Sequence, residues 1–198
     1  MTLANLARWK KGGRMPALTL VTDERRLPDP AAAMAALPPG SAVLFRHYRA
    51  ADRAQVARRL AGLARQRRLV FLVAGADWRL AQAVGADGVH LPEGVARALV
   101  APGLRLWCRR GKMLTVACHD RRALARAAAL AADGALLSPV FPTASHPGAP
   151  VLGATRFALW AARAKLPVVA LGGVGPGTLR CVRMAAGIAG IGLFGRPQ

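Results

Sequence analysis

The chain has 198 residues, of which 54% are hydrophobic, and it carries a formal net charge of +20. This length suits one domain with a substantial core, and the hydrophobic content excludes a chain that is disordered throughout. No apolar run approaches the roughly 20 residues that a membrane-spanning helix needs, and residues 1–13 lack the apolar centre of a signal peptide. We therefore expect a soluble, cytoplasmic protein.

Along the chain, short apolar runs typical of buried parallel strands alternate with helical segments. The predicted strands cover residues 18–22, 42–45, 69–73, 89–91, 113–117, 135–137, 167–171 and 187–194. The predicted helices cover residues 28–37, 52–66, 78–84, 121–132, 154–165 and 176–184, with Asp52 as the N-cap of the second.

This alternation predicts a (β/α)8 TIM barrel with eight parallel strands, formed by residues 1–198 as one domain. The chain ends soon after the eighth predicted strand, so the last outer helix is expected to be missing. At the other end, Leu3, Leu6 and Trp9 have helical spacing. We expect a basic N-terminal helix over residues 1–15 that packs on the barrel.

The positive charge has two interpretations. A basic surface can attract nucleic acid or phosphorylated ligands, whereas a chain rich in Ala, Arg, Gly and Pro can also be basic through compositional drift alone. Aromatic residues, which stack on single-stranded nucleic acid, make up only 5% of the chain, and the arginines of the predicted helices form no single stripe. We expect a phosphorylated small molecule as partner, disfavour nucleic acid and membranes, and leave a homodimer open.

In such a barrel the active site forms at the carboxyl ends of the strands. Candidate residues there are Arg46 and Arg49 after strand two, His119 and Asp120 after strand five, Thr143, Ser145 and His146 after strand six, Gly173 after strand seven, and Phe194 and Gly195 after strand eight. Glycines after strands seven and eight let backbone amides approach a phosphate, although they also suit tight turns. We favour a phosphate site, with the hydroxyls of Thr143 and Ser145 facing the anion.

The histidines, cysteines and acidic residues do not by themselves identify a catalytic site or a metal site. His90 lies inside a strand and is predicted to be a hydrogen-bonded core residue, whereas a structural role and a site role remain equally open for His119. Cys108, Cys118 and Cys181 show no paired spacing, which predicts neither a disulfide nor structural zinc. Of the nine acidic residues, Asp23, Asp77, Glu93 and Asp120 lie near strand ends, but none is paired at a metal-ligand spacing.

Five motifs in order resemble the thiamine phosphate synthase/TenI family over nearly the whole chain. They are residues 18–23 (LTLVTD), 83–91 (AVGADGVHL), 116–119 (VACH), 139–143 (PVFPT) and 168–174 (VVALGGV). The resemblance implies a TIM barrel and a transferase that joins a hydroxymethylpyrimidine diphosphate to a thiazole phosphate, with Mg²⁺ assisting the departure of diphosphate. It also implies that Thr143, Ser145, Gly173 and Phe194 bind the thiazole phosphate, although Gly195 stands where the family usually has serine.

The pyrimidine-diphosphate side departs from the family pattern. Residues 46–50 (RHYRA) replace a Gln-x-Arg-x-Lys motif, and the two magnesium-binding acids fall on Ala76 and Val95. His146 replaces a lysine and Asp120 a serine, while Pro139 stands where the TenI branch has its histidine. The family therefore implies Mg²⁺ as cofactor, but the ligands that should hold it are missing.

Three hypotheses remain at this point. The chain is a divergent synthase, a homologue that binds a phosphate ester with altered or no catalysis, or a basic interaction protein on a barrel scaffold. The residues fit the second hypothesis better than the first. The prediction is a thiamine phosphate synthase-like protein of thiamine biosynthesis that binds a thiazole phosphate or similar ester and has an eroded site for the pyrimidine diphosphate and Mg²⁺. His146, Arg46, Arg49 and Asp120 are its candidate catalytic residues, and Thr143, Ser145, Gly173, Phe194, Gly195 and His119 its candidate binding residues.

Overall fold

The computed structural model describes residues 14–97, 100–143 and 148–191, which form a closed barrel of eight parallel strands in sequence order. The strands are β1 (Leu18–Val21), β2 (Ala42–Phe45), β3 (Val70–Ala74), β4 (Gly88–Leu91), β5 (Met113–Cys118), β6 (Gly134–Leu137), β7 (Val168–Leu171) and β8 (Gly187–Gly190). The barrel closes where β8 pairs with β1, with Ile188 opposite Leu18. The predicted TIM-barrel fold is confirmed.

The helices surround this barrel. They are α1 (Ala31–Ala35), α2 (Arg53–Gln66), α3 (Trp78–Ala83), α4 (Glu93–Arg97), α5 (Pro102–Arg109), α6 (Arg121–Ala129) and α7 (Gly153–Arg163), followed by a 3-10 helix (Leu179–Val182) between β7 and β8. None of the helices in the described ranges is long and apolar enough to cross a membrane.

Several sequence-based boundaries were wrong. The sequence did not predict α4 or α5, because these helices are short and glycine or proline lies within them. The helix predicted for residues 176–184 is only a 3-10 turn, since Pro176 and Gly177 fall in the bend that precedes it. Asp52 stands at the N-cap of α2, but its side chain makes no capping hydrogen bond.

Both chain ends extend outside the described residues. The N-terminal helix over residues 1–15 therefore stays a prediction, because only residues 14 and 15 of that segment are described. The missing last helix and the extension of the eighth strand to residue 194 also stay predictions, because the described part of the chain stops at residue 191.

The core has two layers, which explains why the strands are apolar throughout. Val21, Leu44 and Leu72 belong to the cluster inside the barrel, whereas Leu20 and Val43 belong to the layer between strands and helices. Side chains of successive strand residues point to opposite faces, so each strand must be apolar on both.

Met15 closes the amino-terminal end of the barrel. Its side chain packs against the inner cluster, and a Cβ on Gly134 would overlap its Cγ and Sδ atoms. Arg14 anchors the same segment from outside, since its guanidinium pairs with Asp133 at 3.4 Å and donates to the carbonyl of Gly111. The chain before β1 is therefore tied to the turns that precede β5 and β6.

Two aspartates at this end join neighbouring strands. Asp87 precedes β4, and its carboxylate accepts the backbone N–H of Phe71 on β3 at 2.8 Å. Asp133 stands in the same place before β6 and accepts the N–H of Leu114 on β5 at 2.8 Å. Each aspartate also donates its own N–H to the carbonyl of the residue it binds, so the contact is reciprocal.

We expect Asp87→Ala to lower the free energy of unfolding by about 1–3 kcal/mol, because it leaves the backbone N–H of a buried residue without its acceptor. Asp52→Ala is the matched control and should cost less than about 0.5 kcal/mol, since the Asp52 side chain caps nothing. Urea denaturation of both variants measures the difference, and equal losses would contradict the role given to Asp87.

Candidate functional site

Arg46 and Asp23 form an ion pair at the carboxyl ends of β1 and β2. The Nη2 atom of Arg46 donates to Asp23 Oδ2 at 2.9 Å, and the backbone N–H of Arg46 donates to Thr22 Oγ1 at 2.9 Å. Burial raises the pKa of Asp23, but hydrogen bonds from the backbones of Arg26 and Arg25 and from Arg46 outweigh it, so the pKa is lowered overall. Arg46 is thus held at the site with part of its charge neutralised.

Arg49 follows in the same loop and is exposed to solvent. Among the residues that the structure describes, no hydrogen bond or ion pair joins it to Arg46 and Asp23, so its predicted catalytic role stays a prediction. Tyr48 beside it is also half-exposed and lies near the backbone of Gly75, the residue that follows β3.

Arg53 is a site residue that sequence reasoning missed. At the start of α2, its Nε donates to the carbonyl of His47 at 2.9 Å, its Nη2 to the carbonyl of Ala74 at 2.8 Å, and its Nη1 to Asp77 at 2.8 Å. Its guanidinium also lies over the ring of Tyr48, 6.0 Å from the centroid. Arg53 therefore fixes the loops after β2 and β3, although it looks in the sequence like any arginine of a helix's first turn.

Asp77 and Asp120 act as helix caps at this end of the barrel. Asp77 Oδ1 accepts the N–H of Leu80 at 3.0 Å while its Oδ2 binds Arg53, so both oxygens are engaged. Asp120 Oδ1 accepts the N–H of Ala123 at 2.6 Å at the start of α6. The catalytic role predicted for Asp120 stays a prediction beside this structural one.

Glu93 is the buried member of a polar cluster at the carboxyl ends of β4 and β5. Its Oε1 accepts hydrogen bonds from Arg97 and from Arg126 Nη2, the latter at 3.0 Å. Its Oε2 lies 3.9 Å from His119 Nε2. The side chain is only 9% exposed, so the two arginines compensate a carboxylate that is largely removed from water.

His119 connects this cluster to the loop after β6. Its Nδ1 lies 2.7 Å from the carbonyl oxygen of Ser138, and because a carbonyl only accepts, Nδ1 carries a proton. Its Nε2 then faces Glu93, while half of its side chain is exposed. Both the structural and the site interpretation of His119 remain compatible with these contacts.

The donor set does not fit a magnesium ion held by carboxylates. Ala76 and Val95 stand where the resemblance places the metal acids, and neither side chain has a ligand atom. Asp23, Asp77 and Glu93 lie nearby, but each is paired with arginine. Within the described ranges, no group of three His, Cys, Asp or Glu residues could hold a metal ion.

The loops after β6 and β7 pack against each other. Phe141 donates its N–H to the carbonyl of Gly172 at 3.0 Å, and a Cβ on Gly173 would overlap the carbonyl oxygen of Pro142. Gly172 and Gly173 have φ values of 91° and 63°, which favour glycine. The structure therefore places Gly173 next to the segment that leads into Thr143. Ser145, His146, Phe194 and Gly195 lie outside the described residues.

His90 lies inside the barrel below this site, buried as predicted. Its Nδ1 lies 2.9 Å from Thr115 Oγ1, which itself donates to the carbonyl of Val89 at 3.3 Å. The hydroxyl proton is thereby used, so Nδ1 is the donor of the pair. Burial, assisted by the charge of Arg46, lowers the pKa of His90 to about 3.

The sequence of this chain is similar to those of thiamine-phosphate synthases. A family model described as thiamine monophosphate synthase matches residues 18–195. A thiamine-phosphate synthase of Bordetella bronchiseptica is 38% identical over 183 residues, which cover 85% of this chain and 82% of that protein. A putative thiamine-phosphate synthase of Geobacter sulfurreducens is 39% identical over 117 residues, 58% of this chain and 53% of that one, so the match spans about half the relative's length.

Among solved structures, thiamine phosphate pyrophosphorylase from Pyrococcus furiosus superposes with a TM-score of 0.72 at 25% identity. The superposition covers 90% of this chain and 86% of that one. An aldolase of Zymomonas mobilis shares the fold at a TM-score of 0.62, but with 13% identity this likeness concerns the fold alone.

Because His90 is buried, we expect the free energy of unfolding to depend on pH. Its folded-state pKa lies below the ordinary value of 6.5, so its stabilising contribution is complete above pH 6.5 and is lost as the pH falls towards about 3. In that window the loss should be about 1.4 kcal/mol per pH unit. Wild type and His90→Gln should diverge in the pH dependence of unfolding, and parallel curves between pH 6.5 and 4 would refute the assignment.

Proposed function

The chain belongs to the thiamine monophosphate synthase family, and on this premise we propose that it binds a thiazole phosphate or similar phosphate ester where β6, β7 and β8 end. Its function lies in thiamine biosynthesis. The observation that carries the proposed ligand is the contact between Gly173 and the loop that leads into Thr143. A glycine pressed against that loop leaves backbone amides, and no side chain, at the place where barrels of this kind bind phosphate.

Thr143 supports the same ligand. It follows the loop that Gly173 contacts, and its side chain is partly exposed at the carboxyl end of the barrel. A hydroxyl there can donate to a phosphate oxygen, and a hydrogen bond to a charged acceptor is stronger than one between neutral groups. Ser145, Phe194 and Gly195 belong to the proposal by family resemblance only.

The part of the site that would bind the pyrimidine diphosphate needs a separate explanation, because it must stabilise the departing diphosphate. The family reaction forms a bond from the thiazole nitrogen to the pyrimidine methylene carbon as diphosphate departs with its electron pair. Here Asp23, Asp77 and Glu93 at the strand ends are paired with arginine and Asp120 caps a helix, so these acids offer the leaving group no metal. Arg46 and Arg49 are the cations that can meet a diphosphate from the loop after β2, since a guanidinium binds phosphate oxygens bidentately.

The proposal also covers the cellular location and the oligomeric state of the protein. A cytoplasmic setting, a phosphorylated small molecule as partner and a homodimer are compatible with the chain. Size-exclusion chromatography with light scattering tests the dimer, and a monomer at micromolar concentration would remove it.

We expect Thr143→Val to weaken binding of thiazole phosphate about tenfold or more, because it removes a hydroxyl donor while keeping the side-chain volume. Thr155→Val, in the exposed first turn of α7, is the matched control and should leave binding unchanged. Isothermal titration calorimetry measures both. The absence of any binding by the wild type at millimolar ligand would count against the phosphate site itself.

Mg²⁺-dependent thiamine phosphate synthesis should be absent or very slow in the purified protein, because Ala76 and Val95 cannot ligate a hard cation. If Arg46 and Arg49 alone meet the diphosphate, any residual turnover should persist in EDTA and fall on Arg46→Met. The assay follows thiamine phosphate formation from both substrates with Mg²⁺ and with EDTA. Rapid synthesis abolished by EDTA would show that Asp77 or Glu93 has become a metal ligand.

A further inference from the structure

Most of the acidic residues lie at the carboxyl end of the barrel, whereas basic residues occur at both ends. Of the nine acidic residues, only Asp87 and Asp133 lie in turns that lead into strands; the others follow strands or begin helices. The turns into β3, β5, β7 and β8 carry basic residues instead. Together with Arg14 these form the basic floor: Arg67, Arg68, Arg110, Lys112, Lys165 and Arg183.

All these turns lie at one end of the barrel because every strand runs in the same direction. Arg14 donates to the carbonyl of Gly111, which stands between Arg110 and Lys112, so this contact brings basic residues of the floor together. Lys112 donates to the carbonyl of Ala86 at 2.8 Å, beside Asp87. The side chains are exposed except that of Lys112, which is half-buried. Because these turns share one end of the barrel, their positive fields add, although salt screens them beyond about 8 Å at physiological ionic strength.

The two acids, Asp87 and Asp133, offset two of the seven positive charges of the floor, so a net positive charge remains. Asp87 binds the backbone N–H of Phe71, and Asp133 binds that of Leu114 as well as Arg14. Their carboxylates are therefore directed to strand ends, while the basic side chains extend into solvent. The phosphate-ester site lies at the opposite end, so it does not use this positive field.

We propose that the basic floor binds the sugar-phosphate backbone of a nucleic acid, without reading its sequence. Arginine predominates over lysine on the floor, and its planar fork suits phosphate oxygens bidentately. The expectation against nucleic acid considered helix arginines such as Arg58 and Arg122, whereas the floor is built from turns that are far apart in sequence. Scarce aromatic residues exclude base stacking but not contacts to the backbone.

A membrane surface is the alternative polyanion, and the structure favours it less. Peripheral membrane binding usually combines basic residues with large apolar side chains that insert between lipids. Of the exposed large hydrophobic residues in the described ranges, Tyr48 lies at the opposite end and Leu106 and Leu159 lie on helices, which leaves Met184 beside the floor.

The test compares two quadruple variants that remove equal charge. The floor variant replaces Arg68, Arg110, Lys165 and Arg183 by glutamine, and the control variant replaces the exposed helix residues Arg58, Arg105, Arg122 and Arg156 by glutamine. Binding of the full chain to a labelled RNA hairpin and to duplex DNA is followed by fluorescence anisotropy from 50 to about 300 mM salt. Thermal melting verifies that both variants fold.

We expect the floor variant to lose at least tenfold in affinity while the control keeps most of it. Each lost phosphate contact should reduce the slope of log affinity against log salt by about 0.9. Equal losses in both variants, or no salt-dependent binding by the wild type at micromolar protein, would overturn the proposal. Binding to phosphatidylserine vesicles but not to either nucleic acid would overturn it in favour of a membrane. Thiazole phosphate binding should be unchanged in the floor variant, so this test is independent of the proposed function.

Discussion

The pairing of β8 with β1 is the contact on which the rest of the structure depends. It turns a row of short strands into a closed barrel, so no strand keeps an unpaired edge. Because all strands run in parallel, closure also sends every loop that follows a strand to one end of the barrel and every turn that precedes one to the other. This one constraint places the proposed phosphate-ester site at one end of the barrel and the basic floor at the other.

At the carboxyl end, arginines pair with three of the carboxylates that lie near the ends of the strands. Asp23, Asp77 and Glu93 each belong to an ion pair. Removing an arginine would leave a partly desolvated acid without its counter-charge, and in Glu93 the cost would be greatest because that side chain is the most buried. These pairs therefore stabilise the loops and at the same time withhold the acids from any cation.

The fold was predictable from the sequence because its strands are apolar on both faces and recur with short intervals. The mainly apolar runs at residues 18–21 and 168–171 are typical of a parallel strand that is covered on both faces. The small helices α4 and α5 escaped prediction because they are stabilised by tertiary contacts, such as that of Glu93 with Arg126, more than by their own propensity. Arg53 was not predicted as a site residue for a related reason. Its partners His47, Ala74 and Asp77 are brought to it only by the fold.

Met15 has a consequence for the hydration of the barrel. Its side chain fills the space next to Gly134 at the amino-terminal end of the barrel interior, opposite to the end with the proposed ligand site. Inside the barrel, the hydroxyl of Thr19 is buried without a hydrogen-bond partner. A water molecule admitted past a shortened side chain at position 15 would find a polar atom to bind there. Met15 thus covers the barrel interior at the end opposite to the proposed ligand site.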